Sequence, residues 1–457
     1  MQFQLSFHGG AGEVTGANFL LKRTDGGTPS ILIDCGLVQG ARFCDECNSK
    51  PFPYKPQEID YLFITHAHAD HIGRVPFLIK RGFKGTILST LATRDIAEVM
   101  LADSLKIIQE EAARAGTKPL YEAADVARAL TLWQTHPYHE VVKLPGDLSA
   151  RFLDAGHILG SAMIELTSAT GRKIVFTGDL GNTPAPLLQP IEELSDVTYL
   201  VMESVYGDRV HEAVPERTAR LREVVARTIN ERGVLLIPAF SIERTQTLLY
   251  ELNNLIESGM LSRVPVFLDS PLAIRVTDVY RRHTKELSDG AQTAAKDGDD
   301  IFNFPGLQFT ETVEASKAIN MVPPPKIIIA GAGMGHGGRI LHHERRYLAD
   351  PSTTLLLVGY QVVGSLGRRL LDGVKNVVIH GDPISVRARV ESIRGYSSHC
   401  DRDCLISVVE HTAPTLEKVF VAMGEPRSSL ALVQRLRDFL DVDAVAPRQG
   451  EEAIIEL

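Results

Sequence analysis

The densest set of potential metal ligands in this chain lies at residues 66–71, which have the sequence His-Ala-His-Ala-Asp-His. Imidazole and carboxylate groups are the ligands that zinc prefers. One histidine on an apolar face is usually structural, but three histidines and an aspartate within six residues are difficult to explain by packing. The stretch therefore predicts a metal site, and the expected chemistry is activation of water. Its potential ligands are His66, His68, Asp70 and His71.

The elements that must position these ligands are strands. Residues 61–64, Tyr-Leu-Phe-Ile, directly precede the cluster and have the pattern of a buried strand. A strand end holds ligands at fixed positions, whereas a flexible loop would lose conformational entropy on binding a metal. His157 and Asp179 also follow apolar runs, and neighbouring glycines allow sharp turns there. Taken alone, His157 could be a hydrogen-bonded core residue and Asp179 could cap a turn.

Together these motifs resemble the metallo-β-lactamase superfamily, whose signature is a strand-end Asp, a His-x-His-x-Asp-His cluster, a later His and a later Asp. Asp34, in Leu-Ile-Asp-Cys-Gly, fits the first position. The resemblance implies an αβ/βα sandwich in which Asp34 orients the ligands without binding metal. It also implies two zinc ions, the first bound by His66, His68 and His157, the second by Asp70 and His71, with Asp179 bridging them.

A narrower resemblance covers essentially the whole chain. The β-CASP nucleases, which include the nuclease subunit that cuts pre-messenger RNA at its 3′ end, are similar to this chain at residues 203–207, 237–240, 244–246, 268–271 and 337–339. This resemblance implies an inserted parallel-sheet cap domain, with nucleic acid bound between cap and sandwich. The expected domains are a metallo-β-lactamase domain at residues 1–207 and 395–457 and a β-CASP cap at residues 208–394.

The β-CASP resemblance also assigns roles outside the metal ligands. It implies that His399, in Gly-Tyr-Ser-Ser-His, protonates the leaving oxygen, and that Glu203 orients this imidazole and favours its protonated form. Taken alone, these residues could be a loop histidine and a surface carboxylate. Asp70 and Asp179 are expected to act in catalysis through the metals. The residues expected to contact substrate are Arg244, Ser270 and Ser398.

One position departs from the family pattern. The last family motif is His-Gly-Glu at a strand end, and its His binds the second metal, but this chain has Met423 followed by Gly and Glu. A thioether is soft, uncharged and a poor ligand for a dication that prefers oxygen and imidazole. We therefore expect the second zinc to bind only at raised zinc or with substrate. His380 lies in a similar string but precedes His399, so no metal role is expected for it.

Length and composition indicate a globular protein with two domains. The chain has 457 residues, of which 44% are hydrophobic and 23% charged. Strands alternating with helices beyond about residue 215 predict a parallel, helix-covered sheet that includes residues 377–379. Residues 289–300 are polar and predict a surface loop. No apolar run approaches the roughly 20 residues that span a bilayer, and no signal peptide is evident, so we expect a soluble, cytoplasmic protein without a membrane partner.

Cysteine usage and charge bear on redox state and partners. The five cysteines predict free thiols, although Cys44 with Cys47, and Cys400 with Cys404, have spacings that could bind a metal. The net charge of −9 argues weakly against a nucleic-acid partner, but a local basic surface decides this question. The arginines that could form such a surface, or simply face solvent, are Arg339, Arg345, Arg346, Arg368 and Arg369.

The sequence therefore predicts a zinc-dependent ribonuclease acting on single-stranded RNA in RNA processing or decay, with endonucleolytic cleavage expected and a homodimer left open. The alternative, prompted by Met423, is a nuclease-like RNA-binding or scaffold protein that has lost turnover. A small-molecule hydrolase of the wider superfamily is disfavoured by the β-CASP motifs.

Overall fold

The protein forms two compact units. The computed structural model describes residues 1–39, 45–212, 214–333, 337–359, 361 and 364–457. The first unit comprises Met1–Thr183, Leu188–Val210 and His399–Leu457. The second unit comprises Pro184–Leu187 and His211–Ser398. The chain thus leaves the first unit and later returns to it at His399.

Two sheets form the centre of the first unit. The strands of the first sheet are β1 (Gln2–Gly9), β2 (Asn18–Arg23), β3 (Ile31–Ile33), β4 (Tyr61–Phe63), β5 (Thr86–Ser89), β6 (Trp133–Thr135) and β22 (Glu452–Glu456), in the order β22-β1-β2-β3-β4-β5-β6. The strands of the second are β7 (Val142–Leu144), β8 (Leu148–Asp154), β9 (Ala162–Ser168), β10 (Lys173–Phe176), β11 (Tyr199–Met202), β20 (Lys418–Val421) and β21 (Ala444–Val445), in the order β21-β20-β11-β10-β9-β8-β7.

The two sheets pack face to face through one apolar core. Phe7 and Phe63 from the first sheet and Phe152 and Phe176 from the second are buried in the same cluster. The rings of Phe63 and Phe152 have centroids 5.9 Å apart. Each such side chain contributes roughly 1.5–3 kcal/mol when it is fully buried. This core fixes the strands whose ends carry the histidines and aspartates.

Helices cover the outer faces of this sandwich, so the predicted αβ/βα fold class is confirmed. On the second sheet, Leu405 and Leu436 from two helices share a buried cluster with Val421. The longest helix begins after Thr90, whose hydroxyl accepts a hydrogen bond from the Thr93 N–H. The helices of the first unit are α1 (Asp45–Ser49), α2 (Ala69–Ile72), α3 (Val75–Lys80), α4 (Leu91–Ala115), α5 (Ala123–Thr131), α13 (Arg402–Glu410) and α14 (Pro426–Leu440).

The second unit is built on the parallel, helix-covered sheet that the sequence predicts. Its strands are β12 (Val234–Pro238), β13 (Val266–Asp269), β14 (Leu307–Phe309), β15 (Lys326–Ala330), β16 (Thr354–Val358) and β19 (Arg389–Ile393), in the order β14-β13-β15-β12-β16-β19, with every neighbouring pair parallel. Its helices are α6 (Val214–Asn230), α7 (Arg244–Glu257), α8 (Pro271–Arg282), α9 (Asp289–Lys296), α10 (Val313–Ala318), α11 (Ile340–Tyr347) and α12 (Leu366–Leu371).

Two local predictions in the second unit are wrong. Residues 289–296 form α9 and not a loop, because the Ser288 hydroxyl caps the helix and Ala291 is buried. Residues 377–379 belong to β17 (Asn376–Ile379), which pairs antiparallel with β18 (Asp382–Ser385) in a separate sheet. His380 and Gly381 both have positive φ, 52° and 87°, which suits a tight hairpin turn between these strands.

The prediction of free thiols is wrong for Cys400 and Cys404, which form a disulfide, and for Cys47, which is also disulfide-bonded. Cys400 lies just before α13 and Cys404 lies in its first turn, and their Cα atoms are 5.6 Å apart, within bridging distance. Cys35 is a free, buried thiol. Cys44 lies outside the described residues.

Of the helices that the structure describes, none combines the length and the apolar character that crossing a membrane requires.

Candidate metal centre

The predicted ligands all lie in segments of the first unit that follow strands, and two of them, Asp70 and His71, are on the short helix α2. Asp34 follows β3, residues 66–71 follow β4, His157 comes after β8 and Asp179 comes after β10. The strands β3 and β4 are parallel neighbours, so their carboxyl ends lie at the same edge of the first sheet. Pairing within each sheet and packing between the sheets therefore bring together residues that are far apart in sequence.

Four side-chain atoms converge in the first donor set. His66 Nε2 lies 3.0 Å from His68 Nδ1, and His157 Nε2 lies 3.2 Å from the same atom. Asp179 Oδ2 is 3.4 Å from both His66 Nε2 and His157 Nε2. His66, His157 and Asp179 are almost completely buried. Three nitrogens and one oxygen thus face a common point inside the protein.

The spacing of these four atoms fits a metal ion. Ligand atoms bound at about 2.0–2.1 Å to a tetrahedral zinc lie roughly 3.3–3.4 Å apart, as the geometry of a tetrahedron requires. The four distances here are 3.0, 3.2, 3.4 and 3.4 Å. The donor set is also the one that borderline cations such as zinc prefer. The residues therefore fit a divalent metal without rearrangement of the loops.

The other oxygen of Asp179 faces a second group. Asp179 Oδ1 lies 3.3 Å from His71 Nε2. Both atoms are buried, and neither makes a hydrogen bond within the described part of the chain. Unsatisfied buried polar atoms are costly, and a bound cation would satisfy this pair. Asp70 is partly exposed and lies close enough to His71 and Asp179 to interact with their charges.

The protonation states of the first donor set suit metal binding. Burial lowers the pKa of His66, and it lowers the pKa values of His68 and His157 well below the ordinary value, so these imidazoles are neutral near pH 7. Burial by itself would raise the pKa of Asp179. His71, His399 and His66 outweigh that effect and hold the pKa of Asp179 well below its usual range. Neutral imidazoles and an ionised carboxylate are the metal-binding forms. Outside this set, burial lowers the pKa of His71, but Asp179 and Asp34 outweigh that effect and raise the pKa well above its ordinary value, so this imidazole must release a proton when it binds a metal.

A residue that the sequence analysis missed, Thr65, connects the supporting carboxylate to the ligands. Asp34 accepts hydrogen bonds from the Thr65 N–H at 2.9 Å and from the Thr65 hydroxyl at 2.8 Å. Asp34 Oδ2 also lies 2.7 Å from His71 Nδ1, which leaves His71 Nε2 directed at Asp179. The Thr65 hydroxyl is 3.1 Å from His66 Nδ1. The position of Thr65 between the predicted strand and the first ligand is the sequence feature that could have identified it.

His399 and Glu203 form a pair beside the donor set. His399 Nδ1 lies 3.2 Å from Glu203 Oε1 and 3.9 Å from Asp179 Oδ2. Glu203 is fully buried and also accepts hydrogen bonds from the Leu180 N–H at 2.7 Å and the Val205 N–H at 3.2 Å. Backbone groups therefore fix this carboxylate, and the carboxylate in turn orients the imidazole.

The charge around His399 favours its protonated form. Burial lowers the pKa of His399, but the carboxylates of Glu203 and Asp179 outweigh this effect and raise the pKa to about 9. The imidazole is thus a proton donor at neutral pH. A proton donor beside a metal-ligand set is an arrangement suited to hydrolysis with a poor leaving group.

Met423 lies in the apolar core. Its side chain is 2% exposed and belongs to the cluster of Phe7, Phe19 and Phe420. Its sulfur lies so close to Gly10 that a Cβ at that glycine would be 2.3 Å from it. The Met423 N–H donates to the Gly10 carbonyl at 2.6 Å. Met423 therefore packs against apolar side chains and against the backbone at Gly10, directly after β1.

Two of the three predicted substrate residues meet in the second unit. The Arg244 guanidinium donates to the Ser398 hydroxyl at 3.2 Å. Ser270 instead caps α8, and its hydroxyl is 3.4 Å from that of Ser241.

Several of the arginines that could form a basic surface make salt bridges with aspartates. Arg339 binds Asp269 at 2.7 Å, and Arg345 pairs with Asp382. Arg368 pairs with Asp372 at 3.0 Å. These arginines are therefore partly neutralised within the second unit.

A sandwich of two sheets with imidazoles and carboxylates converging in loops at its edge defines a metal-dependent hydrolase. Comparison with known families agrees with this class. Residues 12–209 match the metallo-β-lactamase superfamily, residues 245–370 the β-CASP domain, and residues 383–447 the Zn-dependent metallo-hydrolase RNA specificity domain.

Similar proteins extend the match over nearly the whole chain. Ribonuclease TTHA0252 of Thermus thermophilus is 37% identical over 93% of this chain and 94% of its own length. The transcription termination factor FttA of Methanosarcina mazei is 32% identical over 96% of this chain and 69% of its own length. An RNase J-like protein of Methanocaldococcus jannaschii is 29% identical, with 98% of both chains covered. The chain belongs to the β-CASP ribonuclease family of the metallo-β-lactamase superfamily.

A solved structure supports the fold alone. The crystal structure of a protein of unknown function from Enterococcus faecalis has a TM-score of 0.55, with 13% sequence identity and 100% of both chains covered.

Proposed function

We propose that this protein is a zinc-dependent ribonuclease that hydrolyses phosphodiester bonds of single-stranded RNA. One observation carries the proposal: a proton-donating His399–Glu203 pair adjoins a set of three imidazoles and a carboxylate with metal-binding spacing. The match to an RNA specificity domain supports RNA as the substrate. A relative named as a ribonuclease, which aligns over most of both chains, supports the same conclusion.

His66, His68, His157 and Asp179 would hold the first zinc, and Asp70, His71 and the second oxygen of Asp179 would hold another. Zinc bound there would lower the pKa of a coordinated water and polarise the phosphoryl oxygens. The protein's task is to fix the donor atoms. Asp34 does so by accepting from Thr65 and by holding the His71 ring.

His399 is the general acid in this proposal. Its imidazolium donates a proton to the oxygen that leaves when the phosphodiester bond breaks. Glu203 holds the Nδ1 side of the ring, so the Nε2 proton is the one available for transfer. The products carry a 5′-phosphate and a 3′-hydroxyl.

The second zinc is expected to be the weaker one. A fourth partner from the position of Met423 is missing, because this side chain is apolar and packed with Phe7 and Phe19. Asp70, His71 and Asp179 remain, and a phosphate oxygen of the substrate would complete the set. We therefore expect one tightly bound equivalent of zinc in the free protein and two at raised zinc or with RNA.

The remaining assignments follow the family. Residues 1–207 and 395–457 are assigned to the metallo-β-lactamase domain and residues 208–394 to the β-CASP cap. Arg244, Ser398 and Ser270 are assigned to substrate binding. We expect endonucleolytic cleavage and a cytoplasmic location, and a homodimer is left open; each requires its own measurement.

The test is cleavage of an end-labelled single-stranded RNA in the presence of zinc. Wild-type protein should cleave, and the double variant His68→Ala with Asp70→Ala should not, because both metal positions lose a ligand. The matched control is His411→Ala with Asp438→Ala, which changes exposed residues of the same types in the first unit.

Two results would count against this proposal. Absence of cleavage by wild-type protein with zinc present would favour the alternative of an RNA-binding protein without turnover. Cleavage that persists in the double variant would assign the activity to a contaminating nuclease.

A further inference from the structure

A buried ionic cluster lies in the second unit next to the Arg244–Ser398 pair. It consists of Arg217 on α6, Glu251 on α7 and Tyr396, which are 4%, 4% and 3% exposed. An Arg217 nitrogen donates to Glu251 Oε1 at 2.7 Å, and the Tyr396 hydroxyl donates to Glu251 Oε2. Both oxygens of this carboxylate are therefore used inside the protein.

The same cluster also binds the backbone of the segment formed by residues 394–398. Arg217 donates to the Gly395 carbonyl at 3.0 Å, and its guanidinium lies 4.6 Å from the centroid of the Tyr396 ring. Arg217 thus binds an acid, a carbonyl and an aromatic face together. A contact needed only to fill volume would not require three directed interactions.

The cluster and the Arg244–Ser398 contact lie along one face of α7. Arg244 and Glu251 are seven residues apart, which is close to two helical turns, so their side chains share a face. Tyr396 and Ser398 are two residues apart with an extended Ser397 between them, so their side chains also share a side. Two residues of α7 therefore bind side chains of the segment 394–398. Arg244 is hydrogen-bonded to Ser398, and Glu251 is hydrogen-bonded to Tyr396.

We propose that Arg217, Glu251 and Tyr396 are positioning residues that hold Ser398 in register with Arg244, so that the guanidinium and the hydroxyl together bind a phosphate of the RNA backbone. A guanidinium and a hydroxyl form an anion-binding pair only at a fixed separation. The inference rests on the proposed ribonuclease function. It assigns to the three buried residues a role in substrate affinity, exerted through Ser398.

The main variant is Tyr396→Phe, which removes one hydroxyl and keeps the ring under Arg217. Loss of one buried hydrogen bond to a charged group corresponds to roughly a 10-fold change in an equilibrium constant. We therefore expect the KM for RNA to rise by about 10-fold, with kcat nearly unchanged. Glu251→Gln keeps the side-chain volume and provides a second variant. Tyr347→Phe is the control, because this buried hydroxyl of the second unit donates to Asn320, away from the segment.

A double-mutant cycle separates positioning from general destabilisation. If Tyr396 acts through Ser398, then Tyr396→Phe should raise KM in the wild type but add almost nothing to Ser398→Ala. Additive effects of the two substitutions would overturn the inference, as would an unchanged KM in both Tyr396→Phe and Glu251→Gln. Thermal unfolding of each variant is the control for stability, and we expect the folded fraction at the assay temperature to equal that of the wild type.

Binding of the RNA without turnover keeps this test independent of the ribonuclease proposal. With zinc chelated, the Kd for a labelled single-stranded RNA should rise in Tyr396→Phe by the same factor as KM. If wild-type protein binds RNA but does not cleave it, the proposed activity fails while the Kd cycle still tests the positioning role. If wild-type protein does not bind RNA, the positioning role for an RNA phosphate is refuted as well.

Discussion

Substitution of Glu203 by Gln tests the assignment of His399 as the general acid. The change removes a buried negative charge 3.2 Å from His399 Nδ1 and keeps the side-chain volume. Burial lowers the pKa of His399, and with Glu203 and Asp179 present the pKa is nevertheless raised to about 9. Without the Glu203 charge, the pKa should fall towards the ordinary value near 6.5.

The size of the effect follows from the protonated fraction of His399. At pH 7 a group with a pKa of about 9 is about 99% protonated, whereas one with a pKa of about 6.5 is about 24% protonated. At pH 8 the fractions are about 91% and about 3%. If the imidazolium is the acid, the wild type should exceed Glu203→Gln about 4-fold at pH 7 and about 30-fold at pH 8.

The assay is the pH dependence of kcat on a short single-stranded RNA at saturating zinc. Wild-type activity should persist until the pH approaches 9, while that of Glu203→Gln should decline above about pH 6.5. The control is Glu243→Gln, which neutralises a buried carboxylate bonded to Thr247 and Tyr280 in the second unit. A wild type to Glu203→Gln ratio that stays constant between pH 6 and 8 would refute the reasoning, because the ratio must grow as the protonated fractions diverge.

Three further substitutions test the metal centre and the core. Met423→His should tighten the second zinc by adding an imidazole, and an unchanged second equivalent in a calorimetric titration would contradict this. Asp34→Asn should weaken zinc binding roughly 10- to 100-fold, because the carboxylate that orients His71 is lost; the same titration measures it, with the exposed Asp438→Asn as control. Phe152→Ala should lower the free energy of unfolding by about 3–5 kcal/mol in urea denaturation, since this ring is fully buried.

Residue type and spacing were enough to predict the strands that precede the ligands, whereas the class of the fold was predicted from the resemblance to the metallo-β-lactamase superfamily. The strand predicted at residues 61–64, before His66, is β4. Apolar periodicity is local, so it can be seen in a single sequence. The residue types of the potential ligands can likewise be read directly from a single sequence.

Atomic details of the centre depend on contacts between distant residues and could not be predicted. Asp179 directs one oxygen at His66 and the other at His71, which only the paired sheets can arrange. Thr65 contacts both Asp34 and His66, and the first of these contacts joins residues 31 positions apart in the sequence. The disulfide between Cys400 and Cys404 was not predicted, because the odd number of cysteines and the expected cytoplasmic location favoured free thiols.

The order of strands in the first sheet has a consequence for biosynthesis. β1 lies between β2 and β22, so one of its edges is open until residues 452–456 have been made. His399 and the neighbouring strand β20 are also translated after the entire second unit. A nascent chain that stops before residue 399 would therefore carry every predicted zinc ligand but would lack His399, the proposed proton donor. Completion of the first sheet is thus a late event in translation, because it follows synthesis of the entire second unit.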